Sequence, residues 1–242
     1  MKRIVVFLGC VFMCFGCVTA QTSDYVPPAP YVANFEYSPP ANETDKSVEV
    51  VFTVGKVEYK YAGKTAWLST SQFANFEDAI NADLPEILSS KGFTVRGPFD
   101  AYDLIPYSDK KAIDLYLSPV VTSEVIVPGE RRPLDQLSVK VNIRIFLGLR
   151  EIMTHELMWS KTLNFVALDV PFTSVVQAFS SESENGKIIN VVFGYGKLEG
   201  VMAKEMEKQY PVVMGTIYTL IDPEEMAVIK NQTKDIKSKK GY

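Results

Sequence analysis

Val139-Lys140-Val141-Asn142-Ile143-Arg144-Ile145-Phe146-Leu147-Gly148-Leu149-Arg150 decides how this chain folds. Every odd position from 139 to 149 is aliphatic, while Lys140, Asn142, Arg144 and Arg150 stand among the residues between them. Successive side chains of a strand point to opposite faces, so the stripe predicts one long strand with a dry face and a wet face. Residues 153–166 read as its partner, and a tight connection near Arg150-Glu151 makes the pair an antiparallel hairpin. A sheet with one apolar face has to be covered, and the rest of the chain is read for its covers.

Upstream, Val48, Val50, Phe52 and Val54 alternate, Val57 and Tyr59 follow on a shifted phase, and Gly55 marks a bulge or bend between them. The period then lengthens. Phe73, Phe76, Ile80, Leu84, Ile87 and Leu88 form one helical stripe between Thr70 and Gly92. Ser69 with Gln72 reads as a capping box and Lys91-Gly92 as a stop, with Pro85 expected to kink the helix or offset its first half. Residues 93–99 read as a short strand. Alternation restarts at Ile113, Leu115 and Leu117 and continues over 120–127, with a bend expected at Pro119.

Downstream, 180–187 is a polar loop turning at Asn185-Gly186, the tip of a second, smaller hairpin running through 188–193. Residues 197–221 return to helical spacing through Leu198, Val201, Met202, Met206, Val213, Ile217 and Leu220, and Pro211 leaves open one helix or two. Asp222-Pro223-Glu224-Glu225 starts a final short helix, and residues 230–242 read as a basic tail that frays. The sum is an α+β two-layer sandwich: a mostly antiparallel sheet with helices packed on one face. The helix near Ile80 and the helix after Lys197 should lie side by side over Val141, Ile143 and Ile145.

The amino-terminal region is of a different kind. All three cysteines, Cys10, Cys14 and Cys17, fall in the first 17 positions. Lys2 and Arg3 precede an apolar run from Ile4 to Phe15, which is too short to span a bilayer, and Gly16 is the small residue expected at a cleavage site. Cysteine follows directly. The order favours a bacterial lipoprotein signal over 1–16, cut before Cys17, with lipid (palmitate among the acyl groups) on the cysteine. A plain secretory cut after Ala20 is the alternative. Residues 17–46 form the lipidated cysteine and a linker with prolines at 27, 28, 30, 39 and 40, whose second half reads equally as an arm docked through Tyr31, Phe35 and Tyr37. Residues 47–222 are then a single domain, and 223–242 the carboxy-terminal helix and tail.

The chemistry is sparse. With 25 basic residues against 29 acidic, and Lys2 and Arg3 lost with the leader, nucleic acid is excluded as a natural partner. His155 is the only histidine, and it shares the phase of Leu157 and Trp159, which reads as a hydrogen-bonded sheet residue. His155-Glu156 has Trp159 where the second histidine of H-E-x-x-H belongs. Phe193-Gly194-Tyr195-Gly196-Lys197 lacks the spacing of a phosphate loop and reads as a turn into a helix. Asp100, Asp103, Asp109 and Asp114 lack the order of a calcium loop and read as capping or solvated groups. No catalytic residue, cofactor or metal site is assigned, and the chain does not read as an enzyme.

Residues 87–95 (Ile-Leu-Ser-Ser-Lys-Gly-Phe-Thr-Val), then Tyr102-Asp103-Leu104, Ser108-Asp109-Lys110-Lys111 and Asp114-Leu115-Tyr116-Leu117, carry a family likeness. Together they resemble the neuraminyllactose-binding haemagglutinin family of Gram-negative surface lipoproteins, the flagellar sheath adhesin-like group. The likeness covers about residues 35–132. It implies a lipid-anchored, non-enzymatic surface or periplasmic protein. The family's basic glycan segment falls at Pro128-Gly129-Glu130-Arg131-Arg132-Pro133, where only Arg131 and Arg132 carry over as possible ligand-binding residues, and a solvated hairpin turn is the plainer reading.

Two functions follow as expectations. One is an outer-membrane lipoprotein, periplasmic or surface-facing, that acts through contacts with other envelope proteins. The other is an adhesin-like surface lipoprotein whose exposed loops, residues 127–137 above all, meet a host glycan or protein.

Overall fold

The aliphatic stripe forms β5 (Ser138–Glu151), and Val139, Val141, Ile143, Ile145, Leu147 and Leu149 are all buried along it. Its partner β6 (Leu157–Pro171) runs antiparallel, with Val139 opposite Val170, Val141 opposite Leu168 and Ile143 opposite Val166. A register shift after Ile143 puts both Phe165 and Val166 into the core. The computed structural model describes residues 31–41, 49–62, 70–127, 137–183, 186–193 and 195–241.

On its other side β5 pairs antiparallel with β4 (Leu115–Ile126) over twelve residues. Beyond β4 the sheet changes character. The short strands β1 (Val51–Val54), β2 (Glu58–Ala62) and β3 (Thr94–Val95) complete it in the order β3-β1-β4-β5-β6, with β2 also on β4. β1 is parallel to both β3 and β4, and β2 is parallel to β4. The expected sheet was mostly antiparallel; the observed one is mixed. The reason is α1 (Phe76–Ser90), a helical crossover that returns the chain in the direction it left, as parallel neighbours require.

β4 continues without a break through Pro119. β1 pairs with Leu115, Tyr116 and Leu117, and β2 takes over only at Val120. Pro119 thus stands where the neighbouring strand is exchanged, the one position on that side where a missing N–H breaks no ladder.

α1 and α3 (Tyr195–Leu220) cover the dry face. Phe76, Ile80, Leu84, Ile87 and Leu88 of α1 are buried, as are Leu198, Met202, Met206, Tyr210, Met214 and Ile217 of α3. Each such side chain contributes about 1.5–3 kcal/mol by leaving water. Phe76 stacks on Phe165 at 5.5 Å and meets Tyr210 edge-on at 6.3 Å, which joins both helices to β6. The architecture is the α+β two-layer arrangement read from the sequence. A smaller cluster of Ile105, Ile113, Tyr116 and Ile152 lies apart from this core, where the loop before α2 (Tyr107–Ala112) meets the start of β4 and the end of β5. β7 (Val176–Ser183) and β8 (Gly186–Phe193) form the smaller antiparallel hairpin, whose two tip residues lie outside the described ones.

Several local expectations are corrected. The stretch from Thr70 is not one capped helix: Ser71–Phe73 is a single 3-10 turn, α1 begins only at Phe76, and neither Thr70 nor Asn75 caps through its side chain. Ser69 lies outside the described residues. Of the two alternatives at Pro211, the chain takes one helix: α3 is continuous through it, as α1 is through Pro85. The strand expected over 93–99 is reduced to Thr94–Val95. The final helix, α4 (Pro223–Lys240), is long, and Lys230 and Lys237 on it are mostly covered, so the expected frayed tail is ordered helix up to Gly241. Its start is as read: Asp222 accepts from the N–H of Glu224 at 3.2 Å, with Pro223 at the first turn. Of the proposed linker, residues 31–41 lie on the fold. Ala33 donates to the Gln72 carbonyl at 3.1 Å, and the Phe35 ring sits 5.0 Å from Phe76 and 5.3 Å from Tyr210.

Candidate functional site

Cys17, Arg131 and Arg132, the three residues singled out for lipid and ligand, lie outside the described residues. What is seen of the 127–137 loop is its two ends: Ile126 and Val127 are exposed and Leu137 is buried. His155 is not a strand residue. It sits in the turn between β5 and β6 with φ of 60°, its ring 4.2 Å from that of Tyr102, and its carbonyl accepts from Arg150 Nη1 at 3.0 Å. Burial and the Arg150 charge hold the imidazole below its ordinary value, so it is neutral near pH 7.

Three of the four aspartates take separate partners. Asp100 pairs with Lys56 at 2.9 Å and Asp109 with Arg96 at 3.3 Å, while Asp114 accepts from the Val51 N–H at 3.0 Å and pairs with Lys230 at 3.2 Å. Among the described residues no group of three histidine, cysteine, aspartate or glutamate side chains is placed to hold a metal ion, and no helix is long and apolar enough to cross a membrane.

Two of these pairs flank a cleft of about 250 Å³. It opens at the carboxy-terminal ends of β1 and β3, parallel neighbours joined through α1, which is where open parallel sheets commonly place a ligand. The register fixes the floor: Phe52 lies opposite Val95, and the Arg96 N–H donates to the Phe52 carbonyl at 2.8 Å. Val54, Val95, Ala82, Pro85, Pro98 and Phe99 give it apolar walls. Lys56, Arg96 and Asn81 are its polar lining.

Local chemistry explains each position. Gly97 has φ of 114°, a conformation open to glycine, and it turns the chain so that Pro98 and Phe99 fold back over the cleft. Pro85 has no N–H to give to the carbonyl of Asn81 one turn earlier. The Asn81 side-chain carbonyl accepts from the Val57 N–H at 3.2 Å, which fixes its amide and leaves the nitrogen as donor. The Lys56 and Arg96 side chains are 55% and 45% exposed, so their ion pairs lie in water and hold the cations weakly. The hydrogen bond and charge of Lys56 lower Asp100 below the usual carboxylate value.

Neither cation was singled out from the sequence. The available signal was a repeated strand ending, Val54-Gly55-Lys56 and Val95-Arg96-Gly97, a valine with a cation and a glycine directly after it. Only the parallel pairing of the two strands brings those endings to one edge.

At the opposite end of these strands α4 lies against the start of β4 and the end of β5. Lys230 reaches Asp114 and the Glu49 carbonyl, and Lys237 reaches the Ile113 carbonyl at 3.1 Å and Glu151 at 3.7 Å. These groups are covered and mutually engaged, and the arrangement is structural.

No protein-family profile matches the chain, and no curated protein matches it in sequence. Solved structures do. A neuraminyllactose-binding haemagglutinin homologue from Helicobacter pylori superposes with a TM-score of 0.57 at 15% identity, over 82% of this chain and 98% of that one. A protein from Xanthomonas campestris aligns with 85% of this chain and 98% of its own at 11% identity and a TM-score of 0.39. A lipoprotein from Neisseria meningitidis aligns with 50% of this chain and 83% of its own at 14% identity and a TM-score of 0.31. The first of these likenesses is one of fold, and it falls on the family that residues 87–117 resemble.

Proposed function

We propose that the chain is a non-enzymatic bacterial envelope lipoprotein, anchored in the outer membrane through lipid on Cys17 and acting through contacts with other envelope proteins. The observation that carries this reading is the order of the leader: Lys2 and Arg3, the apolar run to Phe15, Gly16, then Cys17. The fold shared with the Helicobacter pylori haemagglutinin homologue supports it.

Metabolic labelling with a palmitate analogue should mark the wild-type protein and miss Cys17→Ser. Equal labelling of both, or a mature protein beginning at Gln21, rejects the anchor. Protease shaving of intact cells then tells a periplasmic domain from a surface one. The neighbour's name carries neuraminyllactose binding, and on this chain that role would fall to Arg131 and Arg132, whose forked guanidiniums can clasp a carboxylate. The pair is isolated in an acidic chain, with Glu130 before it and Pro133 behind, so weak or no glycan binding is expected. Tight, salt-sensitive binding to sialylated glycans, lost in Arg131→Ala/Arg132→Ala, would replace the envelope-contact reading by the adhesin one.

A further inference from the structure

We infer that the cleft at the ends of β1 and β3 binds the free carboxy-terminal end of a peptide whose last residue is apolar, its carboxylate between Lys56 and Arg96 and its side chain against the apolar walls. The inference stands on the cleft alone and does not depend on where the chain is anchored.

Charge complementarity is the first argument. Two cations line one small cleft, each paired with an acid that is not part of its lining, the exposed Asp100 for Lys56 and the partly buried Asp109 for Arg96. Such exposed pairs are worth little and exchange readily for a better-placed anion. Arginine offers a carboxylate two parallel N–H donors, and a terminal carboxylate is a recurring peptide handle for sites of this kind.

Size and shape supply the second argument. At about 250 Å³ the cleft has room for roughly eight waters' worth of ligand, enough for one apolar residue with its carboxylate. The walls are aliphatic or aromatic at Val54, Val95, Pro85 and Phe99, which suits a branched aliphatic side chain. A peptide also has what a free acid lacks, an amide N–H and C=O before its last residue. The Asn81 side chain, its oxygen held by the Val57 N–H, keeps its amide nitrogen as a donor for that C=O.

The test uses the purified full-length chain and three probes: acetyl-Gly-Ser-Gly-Ser-Ala-Leu with a free carboxylate, the same peptide as its carboxamide, and octanoate. Calorimetric titration should show the free-acid peptide binding at least tenfold tighter than the carboxamide, and more weakly as salt rises. Arg96→Ala and Lys56→Ala, both at exposed side chains, should each weaken it about tenfold with melting temperature unchanged. Asp109→Asn, which releases Arg96, should tighten it. Ala82→Trp, which fills the mouth, should abolish it. Equal affinity for acid and carboxamide, or no binding of either, overturns the inference. Octanoate as tight as the peptide also overturns it, since the cleft would then be reading a free amphiphilic acid.

Discussion

The Tyr210 hydroxyl, fully buried in the middle of α3, donates a 2.6 Å hydrogen bond to Oδ2 of Asp83 in the middle of α1. It ties together the two helices that cover the dry face of the sheet, and it does so with a carboxylate that is only 8% exposed. Tyr210→Phe keeps the ring contacts with Phe35 and Phe76 but leaves that carboxylate without its donor. An unsatisfied buried acceptor costs about 1–3 kcal/mol, so the variant should lose that much stability in urea unfolding with an unchanged slope.

Asp83 also sets a pH dependence of unusual sign. Burial raises its pKa above the ordinary 3.8, against the opposing effect of the Tyr210 hydrogen bond, and the nearby Glu86 charge raises it further. Below the unfolded value both states hold the proton. Between the unfolded and folded values the unfolded chain releases it first, so this group's contribution to stability falls as pH rises and is fully lost above the folded value. Wild type should therefore gain stability relative to Asp83→Asn as pH is lowered from 7 toward 4, and Asp83→Asn should be at least as stable as wild type at pH 7. Unfolding midpoints of both proteins across that range measure the difference.

Ile143 and Ile145 sit at the centre of the dry face, both essentially inaccessible to water. An aspartate at either position brings an unpaired charge into the core, and Ile143→Asp or Ile145→Asp should abolish the cooperative transition. Ile143→Val, which removes one methylene, should cost only about 0.5–1.5 kcal/mol. Aspartate at Lys140 or Arg144, on the wet face, should be tolerated. A melting profile that ranks the two faces alike would show that the stripe does not face the helices.

These same side chains explain what could be read from the chain and what could not. The stripe from Val139 to Leu149 was legible because a single period of two ran for a whole strand, and the stripe through Phe76, Ile80 and Leu84 because its period was helical. The parallel half of the sheet was not. β1 and β3 are four and two residues long, and direction is a property of the crossover, which leaves no mark on the alternation. Gly55 was legible as a break, but its cause lies 61 positions away: a Cβ there would stand 2.1 Å from the Tyr116 hydroxyl oxygen. Pro85 and Pro119 read as a kink and a bend, and Pro211 leaves one helix or two open, because the sequence does not say which N–H groups the tertiary structure can spare. The cleft was missed for the reason β3 was, since Lys56 and Arg96 are 40 positions apart and meet only through the parallel register.

The order of α4 gives the last expectation. Lys230, Lys237 and Lys240 are spaced by seven and three residues, which keeps them on one side of a helix turning every 3.6. Each ends on an acid of the sheet's lower edge: Asp114, Glu151 and Glu156. The pairs are not equal. Glu151 is wholly buried, and its carboxylate accepts from the Met153 N–H at 3.0 Å and the Thr154 N–H at 2.6 Å as well as pairing with Lys237. Lys240 and Glu156 are each about half exposed. Removing one member of a covered pair strands the other charge and costs about 3–5 kcal/mol where burial is complete, whereas an exposed pair is worth about 0–1 kcal/mol. Lys237→Met should therefore destabilise the protein by several times as much as Lys240→Met in urea unfolding. Adding Glu151→Gln to Lys237→Met should cost less than the two single changes summed, because the buried charge then goes with its partner. Small and equal effects of the two lysine changes would mean that the Lys237–Glu151 pair adds nothing to the hold that Lys230 and the buried Met226 and Ile229 give α4.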